Sequence, residues 1–264
     1  MKKSRGTEVE LWKTREESGR VFHSSTSVPV SKDPARIAGM FDAIAARYDR
    51  LNHLLSAGLD RRWRRRAIRE LRLAPGEVLL DMCTGTGDLA IEGASSGAGA
   101  AGQVIGIDFA AAMLRLAHGK IRAAGLSDRI HLVRGDATRI PLPDQCCEAA
   151  TVAFGIRNVI DSSRACTELY RILKPGGRLA ILEFGTPQVP GLRQMYGWYF
   201  TNVLPRIGRL VSRHGDAYDY LPASVAQFPS PDGFGDVLRG AGFTSVRYVS
   251  LTFGTVYLYL ARTS

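Results

Sequence analysis

The apolar positions of this chain change their spacing twice. From Ala35 to Leu73 they recur at helical intervals and predict two helices, "ARIAGMFDAIAARYDRLNHLL" and "RRWRRRAIRELRL", with Gly58 between them. Beyond Pro75-Gly76 the apolar runs become short and compact. "EVLLDM" (77–82), bounded by that Pro-Gly pair and a glycine-rich turn, has the pattern of a buried strand. "DLAIEGAS" then reads as a helix, "QVIGIDF" (103–109) as a strand, "AAMLRLAHGKIRAAG" as a helix and "IHLVRGD" (130–136) as a strand. "CEAATVAFG" (147–155) is a strand, "SRACTELYRIL" a helix and "GRLAILEFG" (177–185) a strand. Such alternation predicts an α/β fold, a parallel sheet whose right-handed crossovers place helices on both faces.

After Gly185 the alternation stops. "GLRQMYGWYFTNVLPRIGRLVS" is long, aromatic and broken by Pro205, and "SPDGFGDVLRGAG" is a helix ending at a glycine. "FTSVRYVSLTFGTVYLYLARTS" reads as two strands folded back on one another. Residues 1–33 are polar and aperiodic and are expected to form a flexible tail. Residues 34–264 are expected to form one domain, with N-terminal helices over 34–75 and a substrate-covering insertion over about 186–230.

Composition narrows the class. The hydrophobic share of 45% in 264 residues is enough for a real core. No stretch approaches the ~20 uncharged apolar residues of a spanning helix. The first twenty residues lack an apolar segment and carry four glutamates, unlike a secretory or transit leader. The four cysteines, Cys83, Cys146, Cys147 and Cys166, show no metal-ligand spacing, so no metal is expected and a reducing cytoplasm fits.

The net charge of +10 favours anionic partners. Its densest cluster, "DRRWRRR" (60–66), is either a solvated helix face with Trp63 turned inward or an attractor for a membrane surface. There each basic residue is worth ~1 kcal/mol. No RRM, KH or zinc pattern accompanies the charge, so nucleic acid is not an expected partner.

The candidate chemistry begins at "DMCTGTGDLA" (81–90), which follows the first strand and opens a helix. Gly85 and Gly87 permit a tight turn and close backbone approach by a ligand. The stretch also satisfies G-x-G-x-x-A, so a dinucleotide must be weighed. The Asp81 carboxylate beside the turn would repel a pyrophosphate and attract the ammonium of a methionine-like ligand. Asp108 closes the second strand, where a carboxylate accepts hydrogen bonds from an adenosine ribose. Asp136, with the small Ala137, closes the third and can accept from an adenine amino group. Three acidic strand ends favour S-adenosylmethionine over a nicotinamide dinucleotide. Each acid alone could be only a helix cap.

Five parallel strands followed by a helix and a strand pair is the layout of a class I S-adenosylmethionine-dependent methyltransferase, with a seven-stranded, mostly parallel sheet and an antiparallel last strand. In open α/β sheets ligands bind outside the carboxyl ends of the strands. "AFGIRNV" (153–159) ends the fourth strand there, which aims Arg157 and Asn158 at the substrate.

Four stretches resemble the ubiquinone/menaquinone biosynthesis C-methyltransferase family: "YDRLNHLLSAGLDRRWRR" (48–65), "FGIRNV" (154–159), "RILKPGGRLAILEF" (171–184) and "YDYLPASVAQFP" (218–229). Asp60 stands where the family signature has histidine, which argues against a catalytic role for that side chain. Gly185 stands where it has serine. The resemblance implies S-adenosylmethionine contacts at Thr86, Asp108, Asp136 and Ala137, and C-methylation of a polyprenylated quinol. The expected acceptor is demethylmenaquinol, with the methoxy-benzoquinol precursor of ubiquinone as the alternative. Arg157 is expected to stabilise a developing phenolate or steer a water, and Asn158 to orient a quinol oxygen. Tyr48, Asp49, Asn52 and Tyr218 are further candidates to line the cleft, equally explained by packing or capping. His53 and Asp219 are candidate bases. The aromatic stretch 196–211 is either an internal cover or a lid that receives the prenyl tail at a bilayer surface. The expected partners are thus the quinol, transient contact with the inner face of the cytoplasmic membrane, and a homodimer or a quinone-biosynthesis complex.

Other readings stay open at this level: methylation of an amine or a sterol, a nucleic-acid methyltransferase, or a non-catalytic binding protein on the same scaffold. "FGIRNV" is unlike the Asn/Asp-Pro-Pro-aromatic motif of base-amine methyltransferases. The intact glycine turn and the three acids argue for catalysis.

Overall fold

The structure, a computed structural model, describes residues 56–95, 100–187, 191–198 and 216–264, with positions 33, 36, 37, 39–42, 45, 49, 189 and 202; the side chains of residues 192, 193, 196 and 216–219 are not described. The tail expected over 1–33 lies outside these residues except for Asp33. Most of the cover stretch 196–211 lies outside them as well.

The first regular element with described bounds is α1 (Leu59–Leu71), after helical positions at 36, 37, 39–42, 45 and 49. Then follow β1 (Val78–Met82), α2 (Asp88–Ser95), β2 (Gln103–Asp108), α3 (Ala111–Ala123) and β3 (Ile130–Arg134). Next come β4 (Cys147–Ala153), a 3-10 turn (Ile156–Asn158), α4 (Ser162–Ile172) and β5 (Leu173–Phe184). The chain closes with α5 (Leu192–Trp198), α6 (Asp216–Gln227), α7 (Pro231–Gly240), β6 (Thr244–Leu251) and β7 (Val256–Arg262).

The seven strands form one sheet in the order β3-β2-β1-β4-β5-β7-β6. The first five are parallel to their neighbours, and β7 inserts antiparallel between β5 and β6. Strand order reverses between β1 and β4, which opens a crevice at their carboxyl ends.

The period-two alternation of the strands assigns each side chain to a face. In β7, Val256, Leu258 and Leu260 join Leu79 under α1, α2 and α3, while Tyr257 and Tyr259 join Leu80 and Met82 under α4 and α7. Leu79 and Leu80 have no exposed surface. Each is worth roughly 1.5–3 kcal/mol of burial. Asp161 caps α4 by accepting from the Arg164 N–H at 2.9 Å, and Ser230 caps α7 ahead of Pro231 at 3.2 Å.

Three elements depart from the sequence expectation. β5 starts at Leu173, not at 177, because Leu173 pairs with Cys147 and pairing resumes at Arg178 with Ala149. Lys174–Gly177 form the irregular step between, with Gly176 at φ +72°. The helix α6 was not foreseen, since Pro222 lies inside it and proline disfavours a helix interior. The basic cluster is divided. Trp63 turns inward and donates Nε1–H to the Thr252 hydroxyl at 3.0 Å, while Arg64 is buried against Asp60 and lies 3.6 Å from Asp88. Arg61, Arg62, Arg65 and Arg66 are exposed.

Candidate active site

The turn after β1 is built to bring backbone close to a ligand. Cys83, Gly85 and Gly87 all have positive φ (57°, 57° and 82°). Open space surrounds the position a Cβ would take at Gly85. The base of the turn is fixed by Asp81, whose carboxylate accepts from the Thr84 hydroxyl at 2.6 Å and the Thr151 hydroxyl at 2.8 Å. Asp81 is 1% exposed, and burial pushes its carboxyl up to about 6 despite those two donors. It holds the turn from beneath and does not line the pocket, so the expected direct attraction of a ligand ammonium is replaced by an internal role.

Asp108 has the opposite placement. Its Oδ2 accepts from the Gly85 N–H at 2.8 Å and its Oδ1 from the Ala110 N–H at 2.9 Å, so both oxygens are oriented and each keeps a lone pair for a ligand. Burial raises its pKa and the backbone donors oppose that. Asp136 accepts from the Thr138 N–H at 2.8 Å beside the buried Ala137.

The pocket between these groups is lined by Gly85, Asp108, Asp136 and Ala137, by Met82 and Cys83, and by the end of β4 from Ala153 through Gly155. Ile37, Phe41, Met113, Asn158, Val159 and Ile160 complete its polar and apolar wall with Phe109. Among these described residues two are carboxylates and none is Lys, Arg or His. A pyrophosphate would find no counter-charge here; a sulfonium cation with a ribose finds both the charge and the acceptors. The residues present therefore fit S-adenosylmethionine.

Thr86 and Gly87 sit behind this wall. The Thr86 hydroxyl donates to Asp49 Oδ1 at 2.5 Å, and Lys120 of α3 reaches Asp49 at 2.7 Å, Thr86 at 3.2 Å and the Asp88 carboxylate. Asp49 thus ties the N-terminal segment to the glycine turn. A Cβ at Gly87 would lie 3.2 Å from Ala117 Cβ, so glycine also permits α2 to approach α3.

The turn after β4 is compressed. Phe154 is held at φ +58°, uncommon for a bulky residue. A Cβ at Gly155 would lie 2.4 Å from Cys83 Cβ, so glycine is required. Arg157 does not reach into the pocket as a free charge. Its Nη1 donates to Glu183 Oε1 at 2.7 Å and to the Phe154 carbonyl at 2.5 Å, and its Nε to the Ser224 hydroxyl at 3.3 Å. Glu183 also accepts the backbone N–H groups of Arg157 at 3.2 Å and Phe184 at 2.8 Å. The sequence expectation of an arginine aimed at substrate is corrected: a carboxylate without exposed surface holds it. Asn158 does line the pocket.

Tyr48 and Asn52, with the candidate base His53, lie outside the described residues. Tyr218 and Asp219 lie on α6, but their side chains are not described. Asp60 accepts from the Ser56 hydroxyl at 2.8 Å and pairs with Arg64, a structural role at the start of α1. Glu183, Lys120, Tyr220 and Ser224 escaped the sequence reading. Glu183 alone left a signal: a carboxylate inside the apolar run "LAILEF" must be paired.

The strand order, the glycine turn and the two pocket carboxylates, Asp108 and Asp136, define a class I methyltransferase that uses S-adenosylmethionine. Residues 30–262 match the ubiE/COQ5 methyltransferase family, and the chain belongs to it. It is 45% identical over 231 residues to the ubiquinone/menaquinone biosynthesis C-methyltransferase UbiE of Geobacter sp. (strain M21), covering 88% of this chain and 97% of that one. It is 47% identical over 222 residues to the demethylmenaquinone methyltransferase of Thermus thermophilus, covering 84% and 98%. The fold is also similar to the crystal structure of a SAM dependent methyltransferase from Aquifex aeolicus (TM-score 0.54, 21% identity, 76% and 89% covered). The cyclase SpnF shares it as well (TM-score 0.63, 18% identity, 89% and 97% covered). The fold alone therefore does not fix the chemistry.

Proposed function

We propose that the protein C-methylates the ring of a polyprenylated quinol, converting demethylmenaquinol to menaquinol. The methoxy-benzoquinol precursor of ubiquinone is the second acceptor, since the name of the Geobacter relative covers both ubiquinone and menaquinone biosynthesis. The observation that carries this reading is the pocket wall, whose described residues are apolar side chains, two carboxylates and the neutral amide of Asn158, with no cation among them. An amine and a ring carbon must each shed a proton on methylation; what favours the ring is the lining by Phe41, Phe154 and Ile160, which suits an aromatic face.

When bound, S-adenosylmethionine supplies an electrophilic methyl group. Asp108 would hold the ribose hydroxyls, Asp136 and Ala137 the adenine, and Cys83 and Gly85 of the glycine turn the remaining chain. Asn158 orients a quinol oxygen. A phenol ionises near ~10, and its anion places charge on the adjacent ring carbon. Holding that carbon in line with the methyl supplies much of the rate; the methylated carbon then gives up its ring proton to a base, for which His53 and Asp219 are proposed, and the ring regains aromaticity. Arg157 braces the turn that carries Asn158, and Tyr48, Asn52 and Tyr218 are proposed to complete the acceptor side.

We further propose contact with an anionic membrane surface. Ile160 (61% exposed) and Phe253 (74%) protrude from loops at the carboxyl ends of the strands. Trp63 ties the Thr252–Gly254 turn to α1, which presents Arg61, Arg62 and Arg65. Among the described residues no helix is long and apolar enough to cross a membrane.

Mass spectrometry of quinones in cells lacking the protein tests the reading. A naphthoquinone lighter by one methyl group supports it; an unchanged quinone pool overturns it.

A further inference from the structure

We infer that Tyr220 is a positioning residue for the reaction: it holds the Asn158 amide in the orientation the Phe154 carbonyl selects, so that Asn158 offers the acceptor an N–H and not a carbonyl. This rests on the quinol methylation proposed above.

The argument is one of donors and acceptors. The Phe154 carbonyl can only accept. Asn158 Nδ2 lies 3.4 Å from it and Asn158 Oδ1 lies 3.0 Å from the Tyr220 hydroxyl. An amide oxygen also only accepts, so Tyr220 must be the donor. Turning the amide over would set Oδ1 against the Phe154 oxygen, two buried acceptors with no proton between them. The Phe154 carbonyl therefore selects one orientation, and Tyr220, whose hydroxyl is free to donate, locks it through Oδ1. The second Nδ2–H is the amide's remaining donor, on a side chain that lines the pocket. A phenolic oxygen that turns negative when the quinol ionises, ahead of attack by the ring carbon, is the acceptor such a donor suits.

Tyr220 is equipped for this. It is 8% exposed, and burial pushes its hydroxyl above the usual tyrosine range, so it keeps its proton at working pH. It comes from α6, outside the β1–β5 framework that carries the cofactor turn. Ser224, one helical turn further along α6, accepts from Arg157 Nε while its own hydroxyl donates to the Leu221 carbonyl. Two side chains on one face of α6 thus grip two consecutive residues of the reaction turn. The orientation of Asn158 depends on α6 being seated.

The test uses the full chain with S-adenosylmethionine and a demethylmenaquinol of short prenyl tail. Tyr220→Phe should lower kcat about tenfold, the worth of one buried hydrogen bond, with cofactor Kd within twofold. In an Asn158→Ala background the same substitution should cost nothing further. Asn158→Asp, which still accepts from Tyr220 but has no N–H, should lose as much as Asn158→Ala. Exchange of the Asn158 side-chain amide protons, followed by NMR without any acceptor, should be faster in Tyr220→Phe. Wild-type kcat in a folded Tyr220→Phe, additive losses in the double variant, or unchanged amide exchange would each overturn the inference. A wild-type enzyme that leaves the quinol unmethylated would instead overturn the proposed function.

Discussion

Glu183 and Arg157 form an ion pair closed off from solvent, 2.7 Å apart, with two backbone N–H groups completing the carboxylate. The guanidinium carbon also lies 5.2 Å from the centre of the Phe184 ring. The pair joins the reaction turn to the end of β5. Removing one partner strands the other charge, which typically costs about 3–5 kcal/mol. Arg157→Leu and Glu183→Leu should each show that loss in urea unfolding, and the double variant should be more stable than either single one. Additive losses would mean the two side chains act separately.

The same pairing changes what Arg157 does in turnover. Its charge is balanced within the protein, so its contribution is to hold Asn158 in place. Arg157→Ala should reduce kcat by at least tenfold, and the defect should be the same at pH 7 and pH 9. A defect that shrinks as the quinol ionises would show that the guanidinium stabilises the phenolate directly.

Asp108, with both carboxylate oxygens oriented at the pocket, is the proposed ribose acceptor. Asp108→Asn keeps the size and one carbonyl acceptor for the turn but loses the charge. Charge-assisted hydrogen bonds are worth about 1.5–3 kcal/mol each, so calorimetry should find S-adenosylmethionine binding weakened by tenfold or more. Unaltered affinity in a folded variant would remove Asp108 from the site.

Asp81 makes stability depend on pH in an unusual direction. Its folded carboxyl titrates at about 6, above the ordinary value near 3.9. Below about pH 4 both folded and unfolded chains hold the proton. Between 4 and 6 only the folded chain keeps it, so this group's stabilising contribution falls as pH rises and is gone above 6. The loss is about 3 kcal/mol. Asp81→Asn cannot titrate. The unfolding free energy of wild type relative to this variant should therefore drop from pH 4 to pH 7. A constant difference would place the Asp81 proton elsewhere.

Vesicle binding should rest on Arg61, Arg62 and Arg65, not on the whole cluster. Replacing these three by glutamine should weaken binding to anionic vesicles, and salt should do the same, since exposed charges are screened over ~8 Å at physiological ionic strength. Arg64→Gln should instead lower stability, because it breaks the buried pair with Asp60. Equal vesicle binding by the triple variant would leave the arginines as a solvated face.

The sheet was legible because its strands are short apolar runs punctuated by glycine and acid, and the final strand pair because its apolar positions alternate. Asp108, Asp136 and Ala137 were legible for the same reason: strand ends next to a switch in strand order point to one crevice. Asp81 shares that position but faces inward, onto Thr84 and Thr151, and no spacing rule reports which way a strand-end carboxylate turns. Arg157 was placed correctly along the chain, but its partner lies 26 residues away on β5. The helix α6 was hidden by Pro222, whose helix-breaking tendency is overruled by the seating of Tyr220 and Ser224 on the turn.

Gly185 occupies a position where the family signature carries serine. A Cβ there would lie 2.5 Å from the ring of Tyr257, which pairs with Glu183 two residues earlier across the β5–β7 ladder. The two positions are one choice made twice. Gly185→Ser alone should lower the melting temperature, and Gly185→Ser with Tyr257→Val should recover much of it. A serine that costs nothing beside the intact ring would show that the ring moves freely. The two positions therefore have to change together: shrinking the ring alone opens a hole beside Gly185, and adding a side chain at 185 alone forces a collision.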